Sequence, residues 1–300
     1  MKNILVVYYT QSGQLEDIVK SITKPFQQED EVSITYYQIK MENEFPFPWS
    51  KTAFFDAFPE SFLQKEAAIV PPSQDILSKK YDLVLLGYQV WYLSPSIPIN
   101  SFLKSSFAKN ILNNVPVITI IGCRNMWVMA QEKMKTLLKS TNSKLVGNIA
   151  LVDRSINHIS VITIVQWMFT GVKKKYLGIF PKPGVSDKDI QEASKFGAII
   201  KKHLKNSHFE GLQNDLVKEN AVMIHPFLVE MDTKANKMFK IWANFIINRK
   251  KSRNLLLKAF NIYLLVAIWL ISPIVYILHL LLYPFKMNKI KKQTAYFKGV

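Results

Sequence analysis

Five short runs of apolar, β-rich residues lie between residues 4 and 152, and stretches with helical spacing alternate with them. Runs in which nearly every position is apolar are typical of parallel strands buried on both faces, and their alternation with helices indicates an α/β fold. The predicted strands are Ile4–Tyr9, Val32–Gln38, Asp82–Gly87, Val117–Gly122 and Leu145–Val152. The predicted helices are Leu15–Phe26, Ile99–Leu112, Trp127–Ser140 and Ser186–Leu204, the last with Ser186 as its N-cap. The pattern therefore predicts a doubly wound, five-stranded parallel sheet whose ligand site lies beyond the carboxyl ends of the strands.

The segment 45–72 interrupts this alternation in the place of the second helix. Its sequence, FPFPWSKTAFFDAFPESFLQKEAAIVPP, is rich in aromatic residues and proline. A long excursion of this kind either packs on the surface or forms a lid or an apolar wall of a site. The sequence leaves both interpretations of this insertion open.

Residues 259–285, AFNIYLLVAIWLISPIVYILHLLLYPF, include no Asp, Glu, Lys or Arg. As one helix they would extend about 40 Å, and a bilayer core is about 30 Å thick, so a membrane-associated segment is predicted. Pro273 in the middle of the run favours a kink. Basic residues flank both ends equally, so the positive-inside rule gives no orientation. Three arrangements stay open: the segment spans the membrane, re-enters on the same side, or packs as a helix on the body or in a dimer.

The charge of this 300-residue chain is divided unevenly. Of its 39 Lys and Arg residues, 13 lie between residues 234 and 300, where none of the 22 Asp and Glu residues occurs. The formal charge of +17 thus consists of +13 in this tail and +4 in the body, which favours an anionic membrane over nucleic acid as the partner. The chain begins MKNILVVYYT and enters a strand at once, so we expect the body on the cytoplasmic side of the inner membrane.

A helical pattern precedes the apolar run. One face carries Lys237, Lys240, Asn244 and Asn248, and the other carries Met238, Ile241, Trp242, Phe245 and Ile246. This predicts an amphipathic helix that lies either on anionic headgroups or on the body as an ordinary surface helix. The predicted organisation is a sheet domain at 1–206, a linker at 207–233 and a membrane-associated helical tail at 234–300.

The residues that follow the first strand, Thr10–Gln14, suit a phosphate monoester. Backbone N–H groups and a helix N-terminus favour an anion, and the hydroxyls of Thr10 and Ser12 can donate further hydrogen bonds. Neither GxxxxGK[ST] nor GxGxxG occurs, so the sequence does not support a nucleoside triphosphate or a Rossmann-type dinucleotide as the ligand.

Two further segments, Gly87–Leu93 (GYQVWYL) and Gly122–Asn125 (GCRN), follow the third and fourth strands. With the first loop they resemble the flavodoxin-like fold over residues 1–204. Thr10, Ser12 and Gly13 match its phosphate loop, Gly87 and Trp91 match the stretch beside the flavin ring, and Leu15 replaces the last hydroxyl of the loop. The resemblance implies FMN as cofactor. It implies phosphate contacts from Thr10, Gln11, Ser12, Gly13 and Gln14, and ring contacts from Gln89, Val90, Trp91, Tyr92, Leu93, Cys123, Arg124 and Asn125.

The chain also resembles bacterial proteins called dialkylresorcinol condensing enzymes, which accompany a ketosynthase in flexirubin and aryl-polyene pigment biosynthesis. The segments that carry this resemblance are ILVVYYTQSGQL, FPFPW with FFDAFPES, LGYQVWYLSPSIPI and VITIIGCRNMWVMAQEKMK. It implies that the partner ketosynthase makes a lipidic dialkyl cyclohexanedione. The flavodoxin-like protein would then oxidise this ring to the aromatic resorcinol.

The residue types fit oxidation better than condensation. Condensation needs a reactive cysteine with histidine partners, and Cys123, the single cysteine, lacks that context. Oxidation needs the flavin and a cationic or hydrogen-bonding group near the substrate oxygens. Candidate catalytic residues are Arg124, and Arg154, Asn157 and His158 after the fifth strand; no metal-ligand spacing occurs.

Other interpretations of the function stay open. One is a membrane-tethered NAD(P)H:quinone reductase or flavodoxin-type electron carrier, although a body of +4 lacks the acidic face expected of a carrier. Another is a flavin-free scaffold that recruits the ketosynthase. A homodimer is also left open.

Overall fold

A computed structural model describes residues 1–27 and 30–300. Its core is a sheet of five parallel strands: β1 (Lys2–Tyr8), β2 (Val32–Gln38), β3 (Leu83–Trp91), β5 (Pro116–Cys123) and β6 (Lys144–Val152). A sixth strand, β4 (Ser94–Pro95), pairs antiparallel with β3. The order β2-β1-β3-β5-β6 is that of the flavodoxin-like doubly wound fold, so the predicted fold class is confirmed.

Helices cover both faces of the sheet. The side chains of Ile4 and Val6 pack under α1 (Gln14–Thr23), α10 (Ser194–Lys205) and α11 (Leu212–Lys218). Leu5 and Val7 point to the other face, which α5 (Ile97–Lys104), α6 (Ser106–Leu112) and α7 (Val128–Ser140) cover. All four strand residues are fully buried, which explains why the strands are apolar at consecutive positions.

Some element boundaries differ from the prediction. The predicted helix Ser186–Leu204 consists of α9 (Asp187–Glu192) and α10, and the predicted cap is confirmed because the Ser186 hydroxyl accepts a hydrogen bond from the Asp189 N–H at 3.0 Å. The predicted helix Ile99–Leu112 is likewise divided, into α5 and α6. β3 continues to Trp91 because its end forms a hairpin with β4.

The predicted linker at 207–233 is part of the folded body. It contains α11, whose Leu212 and Leu216 are fully buried in the core. It also contains the beginning of α12 (Pro226–Ile247), which buries Val229 and Asp232. These residues belong to the core because they complete the layers beside β6.

The insertion forms α2 (Lys51–Asp56) and α3 (Phe58–Phe62), and a separate helix, α4 (Gln74–Ser78), precedes β3. The tail contains α13 (Arg253–Val266), a π-helical stretch at Ala267–Ile271 and α14 (Ser272–Lys298). A third apolar cluster joins the insertion to α12 and α13. At its centre the Phe58 ring stacks on Phe260 with centroids 3.7 Å apart.

The tail helix, residues 250–298, lies along the body. At one end Arg253 pairs with Asp56 and Glu60 at 2.6 and 2.7 Å. In the middle the His279 Nδ1 atom lies 2.9 Å from Glu230 Oε2. At the other end the Gln213 side-chain amide donates to the Lys298 carbonyl at 2.7 Å, and the Tyr296 hydroxyl donates to Glu132 at 2.8 Å. The structure thus shows the tail in contact with the body, and its arrangement relative to a membrane stays a prediction.

The tail helix nevertheless exposes a long apolar surface, which we call the outer face. By length and composition it could cross a membrane, and only 11% of its most apolar window is buried. The outer face consists of Ile262, Leu265, Val266, Trp269, Leu270, Ile271, Ile274, Tyr276, Ile277, Leu278, Leu280, Leu281, Leu282, Tyr283 and Phe285.

α12 is helical as predicted, with a different buried face. It buries Phe239, Ala243 and Ile246 against the insertion and α13. Of the predicted apolar face, Met238, Ile241 and Phe245 are exposed. α12 is therefore a helix packed on the body that also presents apolar side chains outward.

Candidate functional site

A cleft of about 340 Å³ opens at the carboxyl end of the sheet, where the loops after β1, β3 and β5 meet. Its volume lies within the range of roughly 300–1,000 Å³ typical of small-molecule sites. The three loops form its floor. Its other walls come from the insertion, from α8 (Asn157–Thr170) and from the tail. The insertion contributes Phe47, Trp49, Phe54 and Ala57, α8 contributes Ile164, Trp167 and Met168, and the tail contributes Leu264 and Ile268.

The loop after β1 is shaped to receive an anion. Gly13 has φ +83°, a left-handed conformation that turns the chain into α1, and no side chain caps that helix. The Thr10 hydroxyl is buried without a hydrogen-bond partner. Neither the Ser12 hydroxyl nor the backbone N–H groups of residues 11–14 donate a hydrogen bond to any residue that the structure describes. This set of free donors fits the phosphate of FMN.

The two glutamine side chains of this loop have another role. Gln11 accepts from the Trp49 indole N–H at 3.0 Å and donates to the Pro46 carbonyl at 2.9 Å. Gln14 accepts from the Val185 N–H at 3.0 Å and donates to the Val185 carbonyl at 3.1 Å. Their side chains hold the walls of the cleft, so phosphate contacts from these two residues are limited to backbone N–H groups.

The first turn of α1 carries two carboxylates that would repel an anion. Glu16 lies 2.5 Å from Lys20, which neutralises its charge, whereas Asp17 is exposed to solvent. The Leu15 side chain, at the position of the missing hydroxyl, is buried beneath the loop. The loop therefore offers an anion fewer hydroxyls than the flavodoxin-like pattern has.

The end of β3 forms a strained hairpin beside the cleft. Tyr92 and Leu93 have φ of +48° and +58°, although the two-residue turn that needs such angles favours Asn and Gly. The Tyr92 hydroxyl holds the turn by donating to the Phe54 carbonyl at 2.6 Å. The Gln89 side-chain oxygen is buried without a partner and can accept a hydrogen bond from a ring N–H such as that of flavin.

Trp91 anchors an aromatic group at this wall. Its ring meets Phe45, Trp49 and Tyr9 edge to face, with centroids 5.0, 5.4 and 6.1 Å apart. Two of these rings belong to the insertion. The insertion is therefore an apolar wall of the site rather than a surface excursion.

Arg124 follows β5 and brings a positive charge to the cleft. Its Nη1 atom donates to the Asn157 side-chain and backbone oxygens at 2.8 and 3.3 Å, and it forms no ion pair within residues 1–27 and 30–300. Burial lowers the pKa of Arg124 to about 10, so the guanidinium stays charged at neutral pH. An anionic or carbonyl oxygen in the cleft would find here a cation with free N–H donors.

The two residues beside Arg124, Cys123 and Asn125, are not suited to act as catalytic groups. Burial is the main cause that raises the pKa of the Cys123 thiol, so this side chain is a poor nucleophile. Asn125 is buried and donates to the Asn157 oxygen at 2.9 Å, away from the cleft lining. Asn125 thus helps to position Asn157, and through it Arg124, instead of contacting a ring directly.

The structure places Arg154 and His158 outside the cleft. Arg154 is exposed and lies 2.8 Å from the Asp189 carboxylate. The His158 Nε2 atom donates to the Ile268 carbonyl at 3.0 Å, and its ring packs 5.2 Å from Trp269. Both residues were candidates for catalysis because they follow β6, but one is held by α9 and the other fastens the tail. Of the four catalytic candidates only Arg124 lines the cleft.

The hypothesis of a lipidic substrate already placed the stretch Ile159–Tyr176 and the tail near the flavin, but it named no single wall residue there. Trp167 and Met168 line the cleft from α8, and Leu264 and Ile268 line it from the tail. A further signal for α8 was its sequence, NHISVITIVQWMFT, which lacks a polar face, as is typical of a helix covered on several sides.

No family model matches the sequence, and no curated protein matches it either. Solved structures with a similar fold include an FMN complex of a flavoprotein from Lactobacillus acidophilus NCFM, with a TM-score of 0.39, 18% identity, and coverage of 49% of this chain and 92% of that chain. A flavoprotein from Bacteroides eggerthii DSM 20697 has a TM-score of 0.40 and 17% identity over 58% of this chain and 100% of that chain. FerB, a flavoenzyme NAD(P)H:(acceptor) oxidoreductase from Paracoccus denitrificans, has a TM-score of 0.33 and 14% identity over 69% of this chain and 99% of that chain. These likenesses concern the fold.

Proposed function

We propose that this protein is an FMN-dependent oxidoreductase that converts a lipidic dialkyl cyclohexanedione into the aromatic resorcinol. The observation that carries the proposal is one cleft with unpartnered phosphate donors at one end and, at the other, Arg124, which forms no ion pair with the residues that the structure describes. Such a cleft suits a phosphorylated ring cofactor together with a substrate that carries oxygen atoms.

The residues that would hold FMN are those of the first loop and of the β3 hairpin. Thr10, Ser12 and the N–H groups up to Gln14 would bind its phosphate, and Gln89 would accept from a ring N–H. When bound, FMN supplies a hydride acceptor, and aromatising the dione removes one hydride and one proton from the ring.

Arg124 would bind and orient the substrate. A 1,3-diketone forms an enolate readily, and the guanidinium would pair with its oxygen and stabilise the negative charge. Asn157 holds the guanidinium in place from the side of α8. The aromatic insertion and the tail line the same space with apolar side chains, so this interaction would be stronger there than in bulk water.

Two alternatives have less support. Condensation would need a reactive thiol, and burial raises the pKa of Cys123, the single cysteine. A flavodoxin-type carrier would present its ring to a large partner, whereas here the insertion and the tail wall the cleft.

The resemblance supplies the biological setting of the proposal. The substrate would come from a partner ketosynthase. It would reach the protein on the cytoplasmic side of the inner membrane, where the apolar tail would anchor the protein. The outer face and the 13 basic residues of the tail support binding to an anionic bilayer.

The proposal is tested by spectroscopy and by turnover of the full-length protein. We expect a yellow protein that releases FMN on denaturation and that forms resorcinol from a dialkylcyclohexane-1,3-dione without NAD(P)H. Ser12→Ala with Gly13→Val should abolish bound FMN, because it removes a hydroxyl and places a β-branched residue at φ +83°.

The control is Ser105→Ala, which removes the hydroxyl that caps α6, a helix whose residues do not line the cleft, and should leave bound FMN unchanged. Undiminished flavin in the double variant would contradict the loop assignment. Reduction of a quinone at the expense of NAD(P)H, with no resorcinol formed from the dione, would favour the reductase alternative.

A further inference from the structure

Two more cavities adjoin the cleft beneath the tail. The inner cavity, of about 230 Å³, shares Tyr92, Arg124 and Ile268 with the cleft. The outer groove, of about 750 Å³, shares Asn157, Leu228 and Ser272 with the inner cavity. The three spaces therefore follow one another from the floor of the sheet to the beginning of α14.

The inner cavity is mainly apolar and has polar side chains at its two junctions, Arg124 toward the cleft and Asn157 and Ser272 toward the outer groove. Its walls include Met126, Met231, Phe239 and Tyr263, which come from the β5 loop, α12 and α13. Arg124 lies at the junction with the cleft. A ligand that fills both spaces would place an oxygen-bearing group at Arg124 and an apolar portion under the tail.

The outer groove opens on the same side as the apolar outer face. Ile156, Tyr276 and Ile277 at its rim are 72, 47 and 58% exposed. The roof over the inner cavity is the π-helical stretch, where His158 binds the Ile268 carbonyl, and Pro273 follows directly. Pro273 lacks a backbone N–H, and π-helical stretches are often found at functional sites.

We propose that the inner cavity and the outer groove bind one alkyl chain of an amphiphile that enters from the lipid side, with its polar group at Arg124. The unpaired charge of Arg124 at one end and the apolar rim at the other define this occupant. The identity of its head group rests on the proposed function, but binding of the chain does not require flavin.

The test uses native mass spectrometry of the full-length protein released from detergent, with saturated fatty acids of increasing length as probes. We expect one acid per protein, with affinity rising about fourfold per methylene until the groove is filled. Leu228→Trp should reduce the hexadecanoate adduct at least tenfold, because Leu228 lines both spaces. Leu281→Trp is the size-matched control on the outer face and should leave the amount of hexadecanoate adduct unchanged.

A second variant, Ala235→Phe, fills the inner cavity from α12 and keeps the test decisive if Leu228→Trp does not fold. Arg124→Gln should weaken binding of hexadecanoate and leave hexadecanol unaffected. Binding that is independent of chain length, or lost equally in the Leu281→Trp control, would overturn the inference and indicate adsorption on the outer face. Extracted FMN is measured in each sample, so chain binding without flavin would contradict the proposed function alone.

Discussion

The body and the tail are both built from apolar runs, and they use them in opposite ways. Ile4 to Val7 in β1 are completely buried, whereas Leu270, Leu281 and Phe285 in the tail are 62, 66 and 87% exposed. In the body the apolar residues hold the sheet together. In the tail only an inner stripe that includes Leu257 and Phe260 does so. The apolar surface that the tail leaves uncovered is available to lipid.

The largest expected effect comes from placing charges on the outer face. Ile274→Glu with Leu281→Glu should abolish binding to anionic vesicles, because each charge costs roughly 3 kcal/mol in the bilayer interior. Thermal unfolding in detergent should stay unchanged, since both side chains are exposed. Vesicle flotation measures the binding, and Ile274→Ala with Leu281→Ala is the control.

If the doubly charged variant floats as well as the control, the outer face does not contact lipid. The contrast between body and tail would then need a second protein as the explanation.

Removing the inner stripe should have the next largest effect. Phe260→Ala should lower the free energy of unfolding by about 3–5 kcal/mol, because this fully buried ring stacks on Phe58 of the insertion. Chemical denaturation measures this change, and Leu281→Ala serves as the exposed control. A loss below 1 kcal/mol would show that the tail is not packed as described.

A buried carboxylate in α12 predicts a pH dependence. Asp232 is completely buried and accepts from the Met129 N–H at 3.2 Å at the beginning of α7. Burial raises its pKa from 3.8 to about 7, so the folded protein retains a proton that the unfolded chain loses between these values. Stability should therefore fall as the pH rises from 4 to 7, by at most about 1.4 kcal/mol per pH unit.

Asp232→Asn keeps an acceptor for Met129 and cannot ionise, so it should flatten this profile. Thermal unfolding across the pH range measures the slope in both proteins. An unchanged slope in the variant would assign the pH dependence to other groups.

The smallest expected effect concerns the ion pairs at the beginning of the tail helix. Arg253→Gln removes the pairs with Asp56 and Glu60, which are partly exposed, and should cost no more than about 1 kcal/mol. Limited proteolysis near residue 253 should become faster, because the first turn of α13 opens more often. Equal cleavage rates would show that the aromatic cluster alone fastens the helix.

The sequence was informative where a signal is local. Uninterrupted apolar runs predicted the sheet, and Thr10, Ser12 and Gly13 predicted the anion loop, because strands and turns depend on neighbouring residues. Contacts between distant segments have no such signal. Nothing near Phe58 indicates that it meets Phe260, and nothing near His158 indicates that it binds the tail.

The tail shows the same limit more clearly. The length and apolarity of 259–285 predicted a membrane-associated helix, but these properties are shared by helices that span, re-enter or lie flat. The arrangement depends on Arg253, Glu230 and Gln213, whose partners lie far along the chain. Arg154 was misplaced for a related reason, because Asp189 of α9 holds it away from the cleft.

The most direct test of the account is a single turnover without oxygen. The FMN-loaded protein would be mixed with one equivalent of a dialkylcyclohexane-1,3-dione, with no NAD(P)H present. The account predicts one resorcinol formed for each oxidised flavin absorbance lost, and a much slower reaction in Arg124→Gln at unchanged flavin content. Resorcinol without loss of flavin absorbance, or no resorcinol from a fully loaded protein, would contradict it.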